Sequence, residues 1–251
     1  MGVVDEARRK SFDRKPEQYD AVRPSYPEAL VDDVLARTGA RRILEIGAGT
    51  GKATELFARR GCTITAVEPG ALMAAMLRAN VATYDVTIVE SRFEDWHGPE
   101  HDLVLAAQAL HWIEPEVRYA RTAAAAPWLV VVTNEKTPLD PTLHAELDAA
   151  YARWLPGTSS SSDLDTTRAE WVDEINASGL YGPVHVGQFP WHASYSRRAY
   201  LELLDTYSDH AVLSEDQRAP LYEAIGAALD RHGGSIEIPY VAMAFVARRL
   251  R

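Results

Sequence analysis

The residues whose types and spacing best suit chemistry are three glycines and two acids. The run Leu44-Glu45-Ile46-Gly47-Ala48-Gly49-Thr50-Gly51-Lys52 joins a short apolar segment, Arg41–Ile46, to a helix predicted over Lys52–Arg60. Glycines at 47, 49 and 51 let the chain turn tightly and let backbone approach a ligand closely. The free N–H groups and positive dipole end of the following helix suit an anion. Glu68 closes the next apolar segment, Thr63–Val67. It follows Gly47 at close to the ~20-residue spacing at which a carboxylate accepts hydrogen bonds from ribose hydroxyls in nucleotide-binding α/β folds. Taken alone, Glu68 reads as a solvated acid at a strand end. Coupled to the glycine turn, it reads as the ribose acceptor.

Two familiar ligands fit this turn poorly. A Walker phosphate loop needs glycine at 46 and Ser or Thr at 53, where the chain has Ile46 and Ala53. A dinucleotide fingerprint places its third glycine at 52, which is Lys52. The pattern acidic-x-Gly-x-Gly-x-Gly instead resembles the first motif of class I S-adenosylmethionine-dependent methyltransferases. That ligand carries a carboxylate and no phosphate, so one helix N-terminus suffices.

The resemblance extends along the chain. Ala106-Ala107-Gln108-Ala109-Leu110-His111-Trp112 is similar to a segment of trans-aconitate-methyltransferase-like and related small-molecule methyltransferases. Phe12-Asp13, Tyr19, Arg23-Pro24 and Tyr26-Pro27 match that family's N-terminal lid, and Pro190-Trp191, Tyr195-Ser196 and Tyr207-Ser208-Asp209-His210 match its later segments. What the resemblance implies is a site of S-adenosylmethionine held by Glu45, Gly47, Ala48, Gly49, Thr50 and Gly51 at the turn, and by Glu68 and Pro69 at the ribose. Leu72, Met73, Arg92, Phe93 and Glu94 would surround the adenine. Ala107 and Gln108 would lie by the methionine part and His111 or Trp112 near the methyl group, with Tyr19 and Arg23 in the lid. One departure stands out. Family members carry Pro-Gly-Gly before the fifth strand, whereas this chain reads Ala126-Pro127-Trp128, which predicts an altered turn away from the cofactor.

Methyl transfer is an in-line displacement that needs alignment and exclusion of water, and a base only if the acceptor carries a proton. His111 is the candidate base, because imidazole titrates near neutrality. The alternative is a histidine that only hydrogen-bonds lid or cofactor. Tyr26, His192, Tyr195, Tyr207 and His210 are candidate acceptor contacts, each open to a plain packing role. The remaining histidines lack ligand spacing, so no metal is expected. Other readings stay open: a bound sulfonium aiding a different reaction such as a cyclisation, an NAD-dependent oxidoreductase, and a non-catalytic partner subunit.

The elements that must position these residues follow from hydropathy. Pro27 opens a helix that carries Leu30, Val31, Val34 and Leu35 and ends at Gly39. Strands are predicted at 41–46, 63–67, 86–90, 102–106 and 129–133, separated by helices at 52–60, 71–80 and 115–126. Near-continuous apolar strands alternating with helices predict a doubly wound α/β sheet, mostly parallel and Rossmann-like. Residues 134–168 read as a polar excursion containing a serine run, Ser159–Ser162, and 171–179 as a short helix. Two more strands, at 184–195 and 236–247, bracket helical stretches at 196–209 and 214–232. The expected organisation is one domain over 1–251: lid and first helix at 1–38, cofactor core at 41–135, substrate-side insertions at 136–170 and 196–232, and final strands at 184–195 and 236–248. The last of seven strands is expected to be antiparallel.

Bulk properties narrow the partners. A formal charge of −10, from 36 acids and 26 bases without a basic run, disfavours nucleic acid. The single cysteine, Cys62, reads as a packing residue and fits a reducing compartment. The charged first ten residues lack the apolar stretch of a secretory signal, and no segment is long enough to span a membrane. These features predict a cytoplasmic protein, monomer or homodimer, acting on a small molecule.

Overall fold

Strand β1 (Arg42–Ile46) begins the order of a computed structural model that describes residues 16–155, 163–210 and 213–250. Before it come helices α1 (Pro16–Val22) and α2 (Glu28–Thr38). Gly39, at φ 65°, ends α2 by donating its N–H to the Leu35 carbonyl. Then follow α3 (Lys52–Ala58), β2 (Thr63–Val67), α4 (Ala71–Asn80), β3 (Val86–Val89), β4 (Leu103–Ala107), α5 (Pro115–Ala125) and β5 (Trp128–Lys136). The chain continues through α6 (Pro141–Trp154), α7 (Leu164–Ala177), β6 (His185–Ser196), α8 (Arg197–Leu204), α9 (Glu215–Arg231) and β7 (Ser235–Arg248).

The seven strands form one sheet in the order β3-β2-β1-β4-β5-β7-β6. All neighbours pair in parallel except that β7 runs antiparallel to both β5 and β6. The expected sheet, mostly parallel with an antiparallel final strand, is the one observed. Alternation along each strand explains its two covered faces. Ile43, Leu103, Leu105, Val130, Val132 and Ala244 join a core with α2 and α3. Their neighbours Leu44, Val104, Ala106, Val131 and Phe245 join a second core with α5 and α7. Burial of each Val, Leu, Ile or Phe among them contributes roughly 1.5–3 kcal/mol, so a strand apolar on both faces is stable only inside a layered sandwich. Cys62 is 2% exposed within the first core, and burial pushes its thiol up. A third core joins α6, α8 and α9 to the ends of β6 and β7 through Leu147, Leu203, Leu221 and Ile238.

The structure corrects the reading of 134–168. β5 runs on to Lys136, and α6 occupies 141–154. Asp140 caps α6, accepting from the N–H groups of Thr142 and Leu143 at 3.0 and 3.2 Å, and Pro141 fills its first turn. Leu143, Leu147, Ala150 and Tyr151 supply a buried helical stripe that was legible but masked by flanking polar residues. Likewise α7 starts at Leu164, behind an Asp163 cap, rather than near Trp171. Ser159–Ser162 and Phe12-Asp13 lie outside the described residues. The Ala126-Pro127 link leads directly from α5 into β5, at the strand end opposite Lys136.

Candidate active site

Sheet order reverses between β1 and β4, because β2 and β3 lie to one side of β1 and β5 to the other side of β4. In open α/β sheets the crevice outside the carboxyl ends of strands at such a point receives ligands. Here that crevice is a cleft of about 1150 Å³. Single-ligand pockets usually measure roughly 300–1,000 Å³, so the cleft has room for two small molecules.

One half of the cleft is built from β1, β2 and β4. After β1, Gly47 and Ala48 donate their N–H groups to the Val67 carbonyl at 2.8 and 3.2 Å, tying the turn to β2. Gly47 sits at φ 65°, and a Cβ there would stand 2.6 Å from that of Ala109. Gly51, at φ 93°, comes equally close to Leu77 and opens α3. Glu68 is 8% exposed and accepts on both oxygens: Oε2 from Gly49 N–H and Oε1 from Gly70 N–H, each at 2.8 Å. It therefore clasps the turns after β1 and β2 together.

Glu45 is 1% exposed, and its Oε2 has no hydrogen-bond partner among the described residues. Burial raises its pKa to about 8, opposed by the Thr54 hydroxyl and assisted by the nearby charge of Glu68. Thr50, in the glycine turn, is also buried, and its hydroxyl is likewise unpartnered among the described residues. Next along the cleft, Arg92 donates to Glu94 at 3.0 Å. Burial opposes ionisation of Glu94, but Arg92 and backbone N–H groups outweigh it and hold the carboxyl below its ordinary range. Phe93, 2% exposed, lines the cleft while stacking on Trp96 in the core.

After β4, Gln108 adopts φ 55°, a left-handed conformation uncommon outside glycine. Its N–H donates to the Val132 carbonyl at 2.8 Å, which holds the bend toward β5. His111 packs against Trp112 with ring centroids 4.8 Å apart. Burial, and secondarily the charge of Arg118, depress the imidazole to about 4. It is neutral at neutral pH and a weak proton acceptor.

The other half comes from α1, β5, β7 and the α8–α9 link. Arg23 donates to Thr206, through Nε to the hydroxyl at 2.8 Å and through Nη2 to the carbonyl at 2.6 Å. Its guanidinium lies 5.0 Å from the Tyr19 ring centroid and 4.3 Å from that of Tyr207. Lys136 approaches Tyr207 to 4.4 Å. Asn134 donates to the Ser25 carbonyl at 3.1 Å and accepts from the Trp191 indole at 2.9 Å. Tyr26 lines the cleft, and burial pushes its phenol up.

The cleft thus brings together Tyr19, Arg23, Tyr26, Glu45, Gly47, Ala48, Gly49, Thr50, Glu68, Pro69, Met73, Arg92, Phe93, Glu94, Ala107, Gln108, His111, Trp112 and Tyr207. It does not include five other residues expected at the site. Gly51 is packed behind the turn, and Leu72 points outward at 52% exposure. His192 lines a separate surface cavity with Asp140, His232 and Glu237. Tyr195 is buried against Tyr200, and His210 is buried among Tyr151, Tyr207 and Tyr222. Sequence reasoning missed Lys52, Asn134, Lys136, Asp209 and Tyr240, all of which line the cleft. The sole signal for Lys136 was a cation ending a β-branched strand.

Residues 43–129 match the family model described as a methyltransferase domain, Methyltransf_25. An uncharacterized methyltransferase of Mycobacterium tuberculosis is 37% identical over 105 residues, 42% of this chain and 43% of that protein. Trans-aconitate 2-methyltransferase of the same species is 31% identical over 119 residues, 42% of this chain and 44% of that protein. The chain therefore spans less than half the length of these curated relatives. A solved structure from Anaeromyxobacter dehalogenans, described as a putative type II methyltransferase, superposes with a TM-score of 0.67 at 23% identity, covering 90% of this chain and 97% of that one.

Proposed function

We propose, from a chain whose residues 43–129 match the methyltransferase domain model, that this protein transfers a methyl group from S-adenosylmethionine to a small-molecule acceptor. The observation that carries the reading is Glu68, buried at the end of β2, with each oxygen against a turn N–H and the whole group facing the cleft. A carboxylate so placed can exchange those contacts for two vicinal ribose hydroxyls.

The residues present fit that group. The unpartnered Glu45 Oε2 and Thr50 hydroxyl line the cleft beside the glycine turn, as expected where a ligand supplies the missing hydrogen bonds. Gly47, Ala48, Gly49 and Thr50 would hold the amino-acid end, and Glu68 and Pro69 the ribose. Met73, Arg92, Phe93 and Glu94 would hold the base, with Ala107, Gln108 and Trp112 beside the sulfur. When bound, S-adenosylmethionine supplies an electrophilic methyl carbon whose leaving group is a neutral thioether.

The protein's part is alignment and exclusion of water. The bend at Gln108 turns the post-β4 segment across the strand ends, placing His111 and Trp112 on the cleft wall. A histidine depressed to about 4 is too weak to take a proton from an alcohol or amine at neutral pH. His111 on this reading orients or shields, and the acceptor atom arrives with a free electron pair.

Calorimetry on the purified protein tests the reading. S-adenosylhomocysteine should bind, and Glu68→Ala should weaken it by about 10- to 100-fold, the worth of hydrogen bonds to a charged group. Absence of heat with both S-adenosylmethionine and S-adenosylhomocysteine overturns it.

A further inference from the structure

The half of the cleft on β5 and β7 has a composition unlike the rest. Lys136 and Tyr240 are directly opposite each other in the β5–β7 register. Opposed residues of an antiparallel pair project on the same face, with Cβ atoms roughly 4.5–5.5 Å apart. Tyr240 is 2% exposed and lines the cleft, and its hydroxyl has no hydrogen-bond partner among the described residues. Stacking on Trp191, with ring centroids 5.3 Å apart, fixes its plane. Arg23 reaches the same place from α1, and Tyr207 lies between the two cations, 4.3 and 4.4 Å from them.

Neither Lys136 nor Arg23 has an ion-pair partner among the described residues. The acid in this half of the lining is Asp209, and its Oδ1 accepts the N–H of His210 at 3.0 Å. Lys136 and Arg23 are half-buried cations without a carboxylate ion-pair partner among the described residues, and the Tyr207 phenol beside Lys136 favours its charged form. The Tyr240 hydroxyl beside them is a further donor. An anion bearing oxygen acceptors suits this wall, taking the ammonium and the phenolic O–H as donors. In the other half acids and bases are mixed: Glu68 and Glu94 line it with Lys52 and Arg92, and Arg92 is paired with Glu94.

We propose that Lys136, Tyr240 and Arg23 form an oxyanion subsite that anchors an acidic group, a carboxylate or a phosphate, of the methyl acceptor. This rests on the reading that the β1–β2–β4 half holds S-adenosylmethionine. The subsite selects acceptors by charge at the end of the cleft remote from β2, and Tyr207 is the flat wall between its two cations. The pull of those cations is visible on Tyr207 itself, whose phenol they draw below its ordinary range against the effect of burial.

The test is calorimetric titration of the protein saturated with S-adenosylhomocysteine, using benzoate, phenyl phosphate and benzamide as probes. Benzoate or phenyl phosphate should bind, the tighter one naming the anion class, and benzamide at least about tenfold more weakly. Lys136→Met should weaken the anion about tenfold or more, and Tyr240→Phe about three- to tenfold, with S-adenosylhomocysteine affinity unchanged in both. That unchanged affinity also certifies that the variants fold. Equal binding of benzamide and benzoate, anion binding indifferent to both substitutions, or no anion binding at all would each overturn the proposal. If S-adenosylhomocysteine itself fails to bind while the ligand-free protein still takes benzoate through Lys136, the cofactor reading falls and the subsite stands.

Discussion

At the scale of single residues, the two acids that bracket the glycine turn behave oppositely to their shared type. Glu68 is clasped by two N–H groups, whereas Glu45 is sealed in with one oxygen unpartnered among the described residues. With its pKa raised to about 8, Glu45 keeps its proton in the ligand-free folded protein at neutral pH. An unfolded chain ionises it near the ordinary glutamate value of 4.5. Below that value both states are protonated and nothing is lost. As pH rises from there to about 8 the unfolded state alone sheds the proton, so folding stability falls across that window. Glu45→Gln keeps the shape and removes the titration. Urea unfolding of ligand-free protein should find the variant and the native chain alike near pH 5, with the variant ahead by roughly 2–4 kcal/mol near pH 8.5. Parallel pH profiles for the two would refute the assignment of a protonated buried acid.

At the scale of elements, the cleft depends on how α1 meets α3. Lys52, which spoils the dinucleotide fingerprint, donates to the Asp20 carbonyl at 2.7 Å and lies 3.7 Å from the Asp20 carboxylate. It pins α1 to the N-terminus of the helix behind the glycine turn. Lys52→Met removes that pin without touching a core. Amide hydrogen exchange in Pro16–Val22 should accelerate, and S-adenosylhomocysteine affinity should drop by about three- to tenfold, while the melting temperature moves by no more than about 2 °C. Exchange in α1 indistinguishable from the native protein would show that α1 is held by other contacts, such as the Arg23–Thr206 hydrogen bonds.

At the scale of the whole molecule, Arg118 couples the outer helices to the site. It is 1% exposed in α5, donates to Glu174 of α7 at 2.6 Å, and donates twice to the Ile113 carbonyl at 3.1 and 2.7 Å. Ile113 lines the cleft directly after His111 and Trp112. Arg118→Met conserves bulk but strands a buried carbonyl and Glu174, and should lower unfolding free energy by about 2–4 kcal/mol. It should also lift the His111 pKa above about 4, because one of the two influences depressing it is gone, yet leave it below 6.5, because burial persists. Imidazole resonances followed by NMR against pH would read this, and a His111 titration that ignores Arg118 would sever the proposed link between helix packing and site.

Sequence alone determined the parts whose signals are local. The strands and helices from Arg42 to Ala125, the glycine turn and Glu68 were legible because each rests on short-range chemistry: β-branched runs, helix periodicity, a turn that only glycine closes. Tertiary structure decided the half of the cleft proposed for the acceptor. Lys136 and Tyr240 are more than a hundred residues apart and become neighbours only through the antiparallel register of β5 and β7, as Arg23 meets Thr206 only through the docking of α1. His192, Tyr195 and His210 carry suitable side chains but stand outside the cleft, because the placement of β6 at the sheet edge and the path of the α8–α9 link, which a side chain's type does not encode, decided what surrounds each one.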